Sequence, residues 1–289
     1  MALVARRRLA RGTLFSMAAR IGYLACGYAI YVLIGRVLGP KEYGMIGVVF
    51  SLLNFFCIFL KNGVPQATAK YIGGEASSAY PVMNTAMRIQ LGWGLFIFLV
   101  VFGGAEIISV EVLRDGQLTP YLRLASITLI PLAVYSIYEG ALVGIREFFK
   151  SSLGMALTSI ARLVLVCVFL WLGLEIEGVL GGYVLAAIIG TFIVRSFCNF
   201  TKSEQKFDAR KVFSFALPLA ISGGVMAILM NIDSILVKRI LGSDVQVGFY
   251  FSAATLAHAL FQLLGTFGIT LLPSIANSFG NGDHELTRK

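Results

Sequence analysis

Residues 14–38 read LFSMAARIGYLACGYAIYVLIGRVL, an apolar stretch of 25 residues in which Arg20 and Arg36 carry the only charges. A helix needs about 20 such residues to cross the hydrocarbon core of a bilayer. Arginines precede the stretch, as basic residues precede the apolar part of a signal peptide. That apolar part, however, has only about 7–15 residues. The stretch is therefore predicted to be a first membrane span that the mature protein keeps.

Seven further apolar stretches of similar length follow along the chain. Together with the first, the predicted spans cover residues 14–38, 44–69, 89–110, 120–143, 152–173, 178–200, 211–237 and 245–272. Of the 289 residues, 57 % are hydrophobic and 13 % are charged, whereas soluble domains carry about 25 % charged residues. We therefore predict an all-α polytopic membrane protein with about eight transmembrane helices.

The 24 Lys and Arg residues predict the orientation of the spans and argue against a nucleic-acid partner. They flank the apolar stretches, whereas nucleic-acid binding needs basic residues that share one exposed face. If the N-terminus is cytoplasmic, and basic residues near span ends are counted with the adjoining side, 16 of them lie inside and 6 outside, while Arg20 and Arg162 remain within spans. Basic residues are enriched in cytoplasmic segments. Both termini are therefore predicted to face the cytoplasm of the cell (plasma) membrane.

This topology predicts opposite labelling at two loop positions. We expect Gln117→Cys to react with a membrane-impermeant maleimide added outside intact cells, and Lys206→Cys to react only after the membrane is permeabilised. The reason is that basic residues enriched on the Lys206 side retain that side in the cytoplasm. The reverse labelling pattern would contradict the predicted orientation.

An internal repeat relates the first and seventh spans. Arg36-Val37-Leu38-Gly39 recurs as Arg239-Ile240-Leu241-Gly242 at an offset of 203 residues, and Gly44 is matched by Gly248 at an offset of 204. Six spans separate the two copies, so both have the same orientation, as in the parallel repeats of secondary transporters. The alternative is that short matches between apolar helices arose by chance.

The repeat predicts the organisation of the chain. Residues 1–205 are expected to form a six-helix transmembrane bundle, and residues 206–289 an incomplete second bundle with two transmembrane helices and a polar tail. A complete second copy would extend the protein to about 410 residues. The chain is therefore interpreted as a fragment of a longer protein or a truncated product.

Several motifs carry a resemblance to a known family. The segments 34–44, beginning Ile-Gly-Arg-Val-Leu-Gly-Pro, and 61–72, beginning Lys-Asn-Gly-Val-Pro, resemble the start of polysaccharide biosynthesis proteins of the oligosaccharide flippase type. Segments 139–148 and 231–236 are similar to later parts of that family. The family belongs to the multidrug/oligosaccharidyl-lipid/polysaccharide exporter superfamily.

The resemblance implies a transport function. It implies two helical bundles that export (flip) lipid-linked oligosaccharide for cell-surface polysaccharide synthesis by alternating access. The implied partners are a polyprenyl diphosphate oligosaccharide, membrane lipids and a possible coupling cation or proton. Because the sequence departs from the family's pattern by stopping after the eighth span, transport by this chain alone is placed in doubt.

Arg162 is the strongest candidate for substrate binding. It lies ten residues past Ser152 in the fifth predicted span, which corresponds to a depth of about 15 Å, near the midplane. A charge there costs about 2.5–3.5 kcal/mol on insertion scales, so such residues are functional candidates. A guanidinium group binds phosphate oxygens in a bidentate manner. The alternative is that Glu139 neutralises Arg162 within the bundle.

Three further substrate-binding candidates lie in the first two spans. Lys61 precedes Gly63 and Pro65, where the helix is weakened as in the broken helices of transporter sites, although a lysine near a helix end can also extend to the headgroups. Arg20 and Tyr31 belong to a stripe at helical spacing in the first span. Arginine suits phosphate and an aromatic ring suits sugar, but such stripes also serve packing.

The remaining candidates concern gating and ion coupling. Glu139 and Arg146 are seven residues apart, which places them on one helical face as an ion pair or gate near the cytoplasm. Asp233, near the end of the seventh span, is a candidate for binding a coupling proton or cation, with a paired interfacial acid as the alternative. No catalytic, metal or cofactor site is predicted, because no corresponding motif occurs.

Two other functions are weighed against a flippase. A drug or cation antiporter of the same superfamily should carry a carboxylate deep in its first bundle, and the first three predicted spans have none at depth. A membrane-embedded sugar polymerase or glycosyltransferase should present a large outer loop, whereas the longest predicted outer loop covers only residues 111–119. We therefore expect a protein that is not an enzyme.

Overall fold

A computed structural model describes residues 2–74, 79–201, 203 and 205–260, and side chains from residue 21 onward together with Ala19. Within these residues the secondary structure is helical, without a strand. The helices are α1 (Ala2–Val37), α2 (Pro40–Lys61), α3 (Val64–Gly74), α4 (Ala79–Ile107), α5 (Leu118–Ser126), α6 (Leu129–Gly144), α7 (Phe148–Trp171), α8 (Ile176–Phe197), α9 (Ala209–Leu241) and α10 (244–260). A π-helical turn, Ile108–Val112, follows α4.

The described helices confirm an all-α polytopic membrane protein. Six stretches are long and apolar enough to cross a membrane: Pro40–Gly74, Ala79–Val112, Leu118–Gly144, Phe148–Trp171, Ile176–Phe197 and Ala209–Leu241. The described apolar part of α1, Ile21–Val37, is shorter. With α1 and α10, the helices occupy the eight predicted spans, whereas residues 261–272 of the last span lie outside the described residues.

Four predicted spans differ in detail from the helices of the structure. The first, predicted from residue 14, belongs to α1, which begins at Ala2. The second, expected as one helix over 44–69, consists of α2 and α3, because Gly63 has a φ of +100° that ends the first helix. The fourth is likewise divided, into α5 and α6, near Pro131, which has no N–H for the helical ladder. The third begins ten residues early, at Ala79.

A glycine with a positive φ follows the first span of each predicted repeat copy. Gly39 follows α1 with a φ of +86°, and Gly242 follows α9 with a φ of +64°. A positive φ after a helix favours glycine, because other side chains are strained there. The ψ angles differ, at 176° for Gly39 and −9° for Gly242, so the two turns share only the sign of φ and the repeat stays a prediction.

Helix α2 occupies the interior of the unit formed by Met1–Gly248. Every residue from Tyr43 to Leu53 is buried, and a helix that is covered on all sides belongs to an interior. It packs against α6 and α9, while α3 packs against α6 and α1 against α7. Residues 249–260 belong to a second compact unit. The domain boundary after residue 205 stays a prediction.

Candidate functional site

The second span is broken beside Lys61, the last residue of α2. The Gly63 N–H donates a hydrogen bond to Gln66 Oε1 at 3.1 Å, not to a main-chain carbonyl. Gln66 Nε2 donates to Asn62 Oδ1 at 3.0 Å. Gln90, on α4, donates from Nε2 to the carbonyl of Leu60 at 2.6 Å. Side chains therefore stabilise the break by hydrogen bonding backbone groups that the helical ladder releases.

Five spans of the first predicted bundle bring charged and aromatic side chains together around this break. We call this group the central cluster. Its members are Tyr23 and Tyr31 from α1, Phe50 and Lys61 from α2, Glu139 from α6, Arg162 from α7 and Tyr183 from α8. Two cations and one carboxylate in a group rich in tyrosine give it a net positive charge at neutral pH.

Arg162 lies at the middle of the central cluster. Its Cζ atom is 4.7 Å from the centroid of the Tyr183 ring, which is a cation–π geometry. Its guanidinium also interacts with the hydroxyl of Tyr23. Its Nε is buried, and no acceptor for it is found among the described residues. Arg162 therefore retains a donor for an additional acceptor, such as a phosphate oxygen.

Aromatic rings form one wall beside Arg162. The Tyr183 and Phe50 ring centroids are 4.5 Å apart, and the Phe50 and Tyr31 centroids are 6.1 Å apart with the rings nearly perpendicular. These separations are typical of packed aromatic pairs. The pairs connect α1, α2 and α8, so the wall is held by three spans.

Lys61 lies close to the other charged groups of the central cluster, and its side chain is exposed. Tyr23, Glu139 and Arg162 all act electrostatically on its ammonium group, yet the side chain is exposed to solvent. A lysine that extended to the lipid headgroups would not be close to Arg162, a midspan residue. Lys61 therefore lies beside Arg162 and not at the headgroups.

The other predicted site residues lie in different places. Glu139 is half-buried in the central cluster, whereas Arg146 is exposed and follows the end of α6 with a φ of +62°. The helical face that was expected to join them thus ends at Gly144, although the gating role stays a prediction. Asp233 is half-buried on α9, and the Arg20 side chain lies outside the described part.

Sequence reasoning missed three residues at this site. Tyr183 and Phe50 carry no individual signal, because aromatic residues occur throughout the apolar stretches and their spacing does not show which face meets Arg162. Gln90 is 1 % exposed. A buried amide in an apolar span is expected to hydrogen bond, so Gln90 was the one detectable candidate, although its partner, Leu60, was not predictable.

A family model described as "Polysaccharide biosynthesis protein" matches residues 9–279. An uncharacterized membrane protein of Methanocaldococcus jannaschii is 21 % identical over 298 residues, which cover 93 % of this chain and 68 % of that protein.

Solved structures with a similar fold are membrane transporters. One is the inward-facing conformation of a multidrug resistance MATE family transporter of the MOP superfamily, with a TM-score of 0.66 and 16 % identity over 90 % of this chain. Another is a MOP superfamily transporter from Pyrococcus furiosus, with a TM-score of 0.63 and 16 % identity over 88 % of this chain. The chain spans 64 % of the length of each.

Proposed function

The chain belongs to the polysaccharide biosynthesis protein family, and from that premise we propose that it takes part in exporting a lipid-linked oligosaccharide across the membrane. The central cluster is the proposed binding site for the sugar diphosphate head group. The observation that carries this proposal is the position of Arg162, which faces Tyr23 and Tyr183 inside the bundle and retains a buried donor.

The chemistry of the central cluster suits a phosphorylated sugar. Arg162 and Lys61 supply positive charge for a diphosphate, and the guanidinium can bind two phosphate oxygens at once. The Tyr23, Tyr31 and Tyr183 side chains offer hydroxyl groups and ring faces, which suit sugar hydroxyls and the apolar face of a sugar ring.

A drug or cation antiporter is the alternative within the same superfamily. One structural neighbour, a multidrug resistance transporter, shares the fold, and Glu139 supplies a carboxylate within the central cluster. A lipophilic cation would, however, meet two cations and one carboxylate there. This balance of charge favours an anionic ligand.

Ligand binding by the chain in lipid nanodiscs tests the proposal without requiring transport. We expect a fluorescent polyprenyl diphosphate to bind at least about tenfold more tightly than the uncharged polyprenol of the same length, since charged hydrogen bonds contribute about 1.5–3 kcal/mol each. The preference should weaken as salt is raised.

Ethidium, a lipophilic cation, is the matched ligand for the antiporter alternative. Tighter binding of ethidium than of the diphosphate would favour the antiporter. Equal binding of diphosphate and polyprenol would contradict a phosphate site at the central cluster.

A further inference from the structure

A buried group of three charges joins the two predicted repeat copies at the end of the bundle that is predicted to face outside. Lys238 of α9 forms a salt bridge with Asp115 at 2.6 Å and another with Asp244. Its side chain is only 3 % exposed, and the two carboxylates are 15 % and 16 % exposed. We call these three residues the Lys238 triad. Asp115 belongs to the first copy, and Lys238 and Asp244 belong to the second.

A second polar connection lies next to the Lys238 triad. Arg239 donates hydrogen bonds from Nη1 to the carbonyls of Glu111 at 3.0 Å and Val112 at 3.1 Å. These carbonyls lie at the end of the π-helical turn after α4. The last turn of α9 is therefore fixed to the first copy on two neighbouring sides.

The two copies also touch through matched glycines. A Cβ atom at Gly44 would collide with the carbonyl oxygen of Asp244, and a Cβ at Gly248 would collide with the carbonyl oxygen of Pro40. The contact is reciprocal, since each glycine packs against the residue four positions before the other. A reciprocal contact of this kind is the signature of a twofold axis, so the repeat axis passes between Gly44 and Gly248.

We infer that the Lys238 triad and the glycine contact together form a closure on this axis, and that this end of the protein opens only when Asp115 separates from Lys238. Separation exposes one ammonium and two carboxylates to water, which replaces the lost pairing by hydration. The pair is strong only while it stays desolvated. The closure therefore has two alternative states, paired and dry or separated and hydrated.

The triad contains its own matched control, because its two carboxylates contact the same ammonium group. The Lys238–Asp115 pair crosses between the copies, whereas the Lys238–Asp244 pair lies within the second copy. Asp115→Asn and Asp244→Asn are the same isosteric change. Only the first removes the charge that holds the copies together, so only the first should open the closure.

Access to Ser234 is a direct measure of opening. Ser234 is 5 % exposed and lies one helical turn before Lys238 on the same face of α9. The reporter Ser234→Cys is placed in a chain whose four cysteines, Cys26, Cys57, Cys167 and Cys198, are replaced by alanine. In nanodiscs both membrane faces are accessible, so the labelling rate by a charged maleimide depends on local opening and not on orientation or on any ligand.

We expect Asp115→Asn to speed labelling of the reporter about tenfold or more, because removing one partner of a buried pair weakens the closed state strongly. Asp244→Asn should change the rate much less, and Asp115→Glu should restore a slow rate by keeping the charge. Lys150→Met, which removes an exposed ion pair with Glu147, should have no effect on the rate.

Two outcomes would overturn the closure. One is labelling of Asp115→Asn at the parent rate or at the same rate as Asp244→Asn. The other is loss of folded Asp115→Asn protein while Asp244→Asn remains monodisperse on size exclusion, since Asp115 would then be needed for folding and not for closing. Neither outcome bears on ligand binding at Arg162, so the proposed function is tested separately.

Discussion

Replacing Arg162 with alanine is expected to abolish measurable binding of polyprenyl diphosphate while the protein remains folded and membrane-inserted. Arg162 is the cation with a buried Nε that has no acceptor among the described residues. Loss of a bidentate contact to a diphosphate removes two charged hydrogen bonds of about 1.5–3 kcal/mol each, which corresponds to a weakening of roughly a hundredfold or more. Fluorescence titration in nanodiscs measures this change.

Two further arginine variants test whether the loss of binding is specific to the guanidinium of Arg162. Arg162→Lys keeps the charge but not the planar fork, so we expect binding of intermediate strength. Arg123→Ala removes an arginine whose ion pair with Glu106 is exposed and 3.7 Å long, so we expect unchanged affinity. If Arg162→Ala bound diphosphate with the parent affinity, Arg162 would be a structural charge that Tyr23 and Tyr183 stabilise.

The second large effect is expected at Gly140, where α6 crosses α3. A Cβ atom there would lie 2.5 Å from the carbonyl oxygen of Pro65. Since a backbone carbonyl cannot rotate away as a flexible side chain can, the two helices must separate to accept a methyl group. Overpacking of this kind costs about 1–3 kcal/mol, and we expect Gly140→Ala to lower the Tm of the detergent-solubilised protein.

Gly103→Ala is the matched control for Gly140→Ala. A Cβ atom at Gly103 meets nothing within 4 Å, and both glycines lie within helices. Since alanine is favoured over glycine inside a helix by about 0.5–1 kcal/mol, we expect Gly103→Ala to keep or raise the Tm. The intrinsic fluorescence of Trp93 and Trp171 reports unfolding. Equal Tm values for the two variants would show that α3 and α6 tolerate separation at this crossing.

The spans were predictable because a bilayer requires long apolar helices, and long apolar stretches make up most of the sequence. A weak point after Lys61 was predicted from Gly63 and Pro65, although the span itself was expected as one helix. The break between α5 and α6 was not foreseen, because bilayer helices often tolerate a proline such as Pro131. Local sequence thus shows where a break is permitted, but tertiary packing decides whether it occurs.

The site was predictable one residue at a time but not as a group. Depth alone identified Arg162 as a candidate, because a charge at the midplane requires an interior partner. Which aromatic rings would meet it depends on how α8 is rotated against α7, and helical periodicity within one span does not determine that rotation. Tyr183 was missed for this reason. For the same reason, Glu139 was predicted to lie near Arg146 or, as the alternative, near Arg162, but its place beside Lys61 was not predicted.

The break between α2 and α3 makes the distance between the two cations adjustable. Arg162 lies within one continuous helix, α7, whereas Lys61 is the last residue of α2 and lies next to the break. Because the Gly63 N–H bonds to a side chain and Pro65 has no N–H, few main-chain hydrogen bonds resist bending at this point. A change in the angle between α2 and α3 would turn the Lys61 side chain, which lies beside the bend, toward or away from the guanidinium of Arg162. One protein could thereby fit head groups that differ in the spacing of their negative charges.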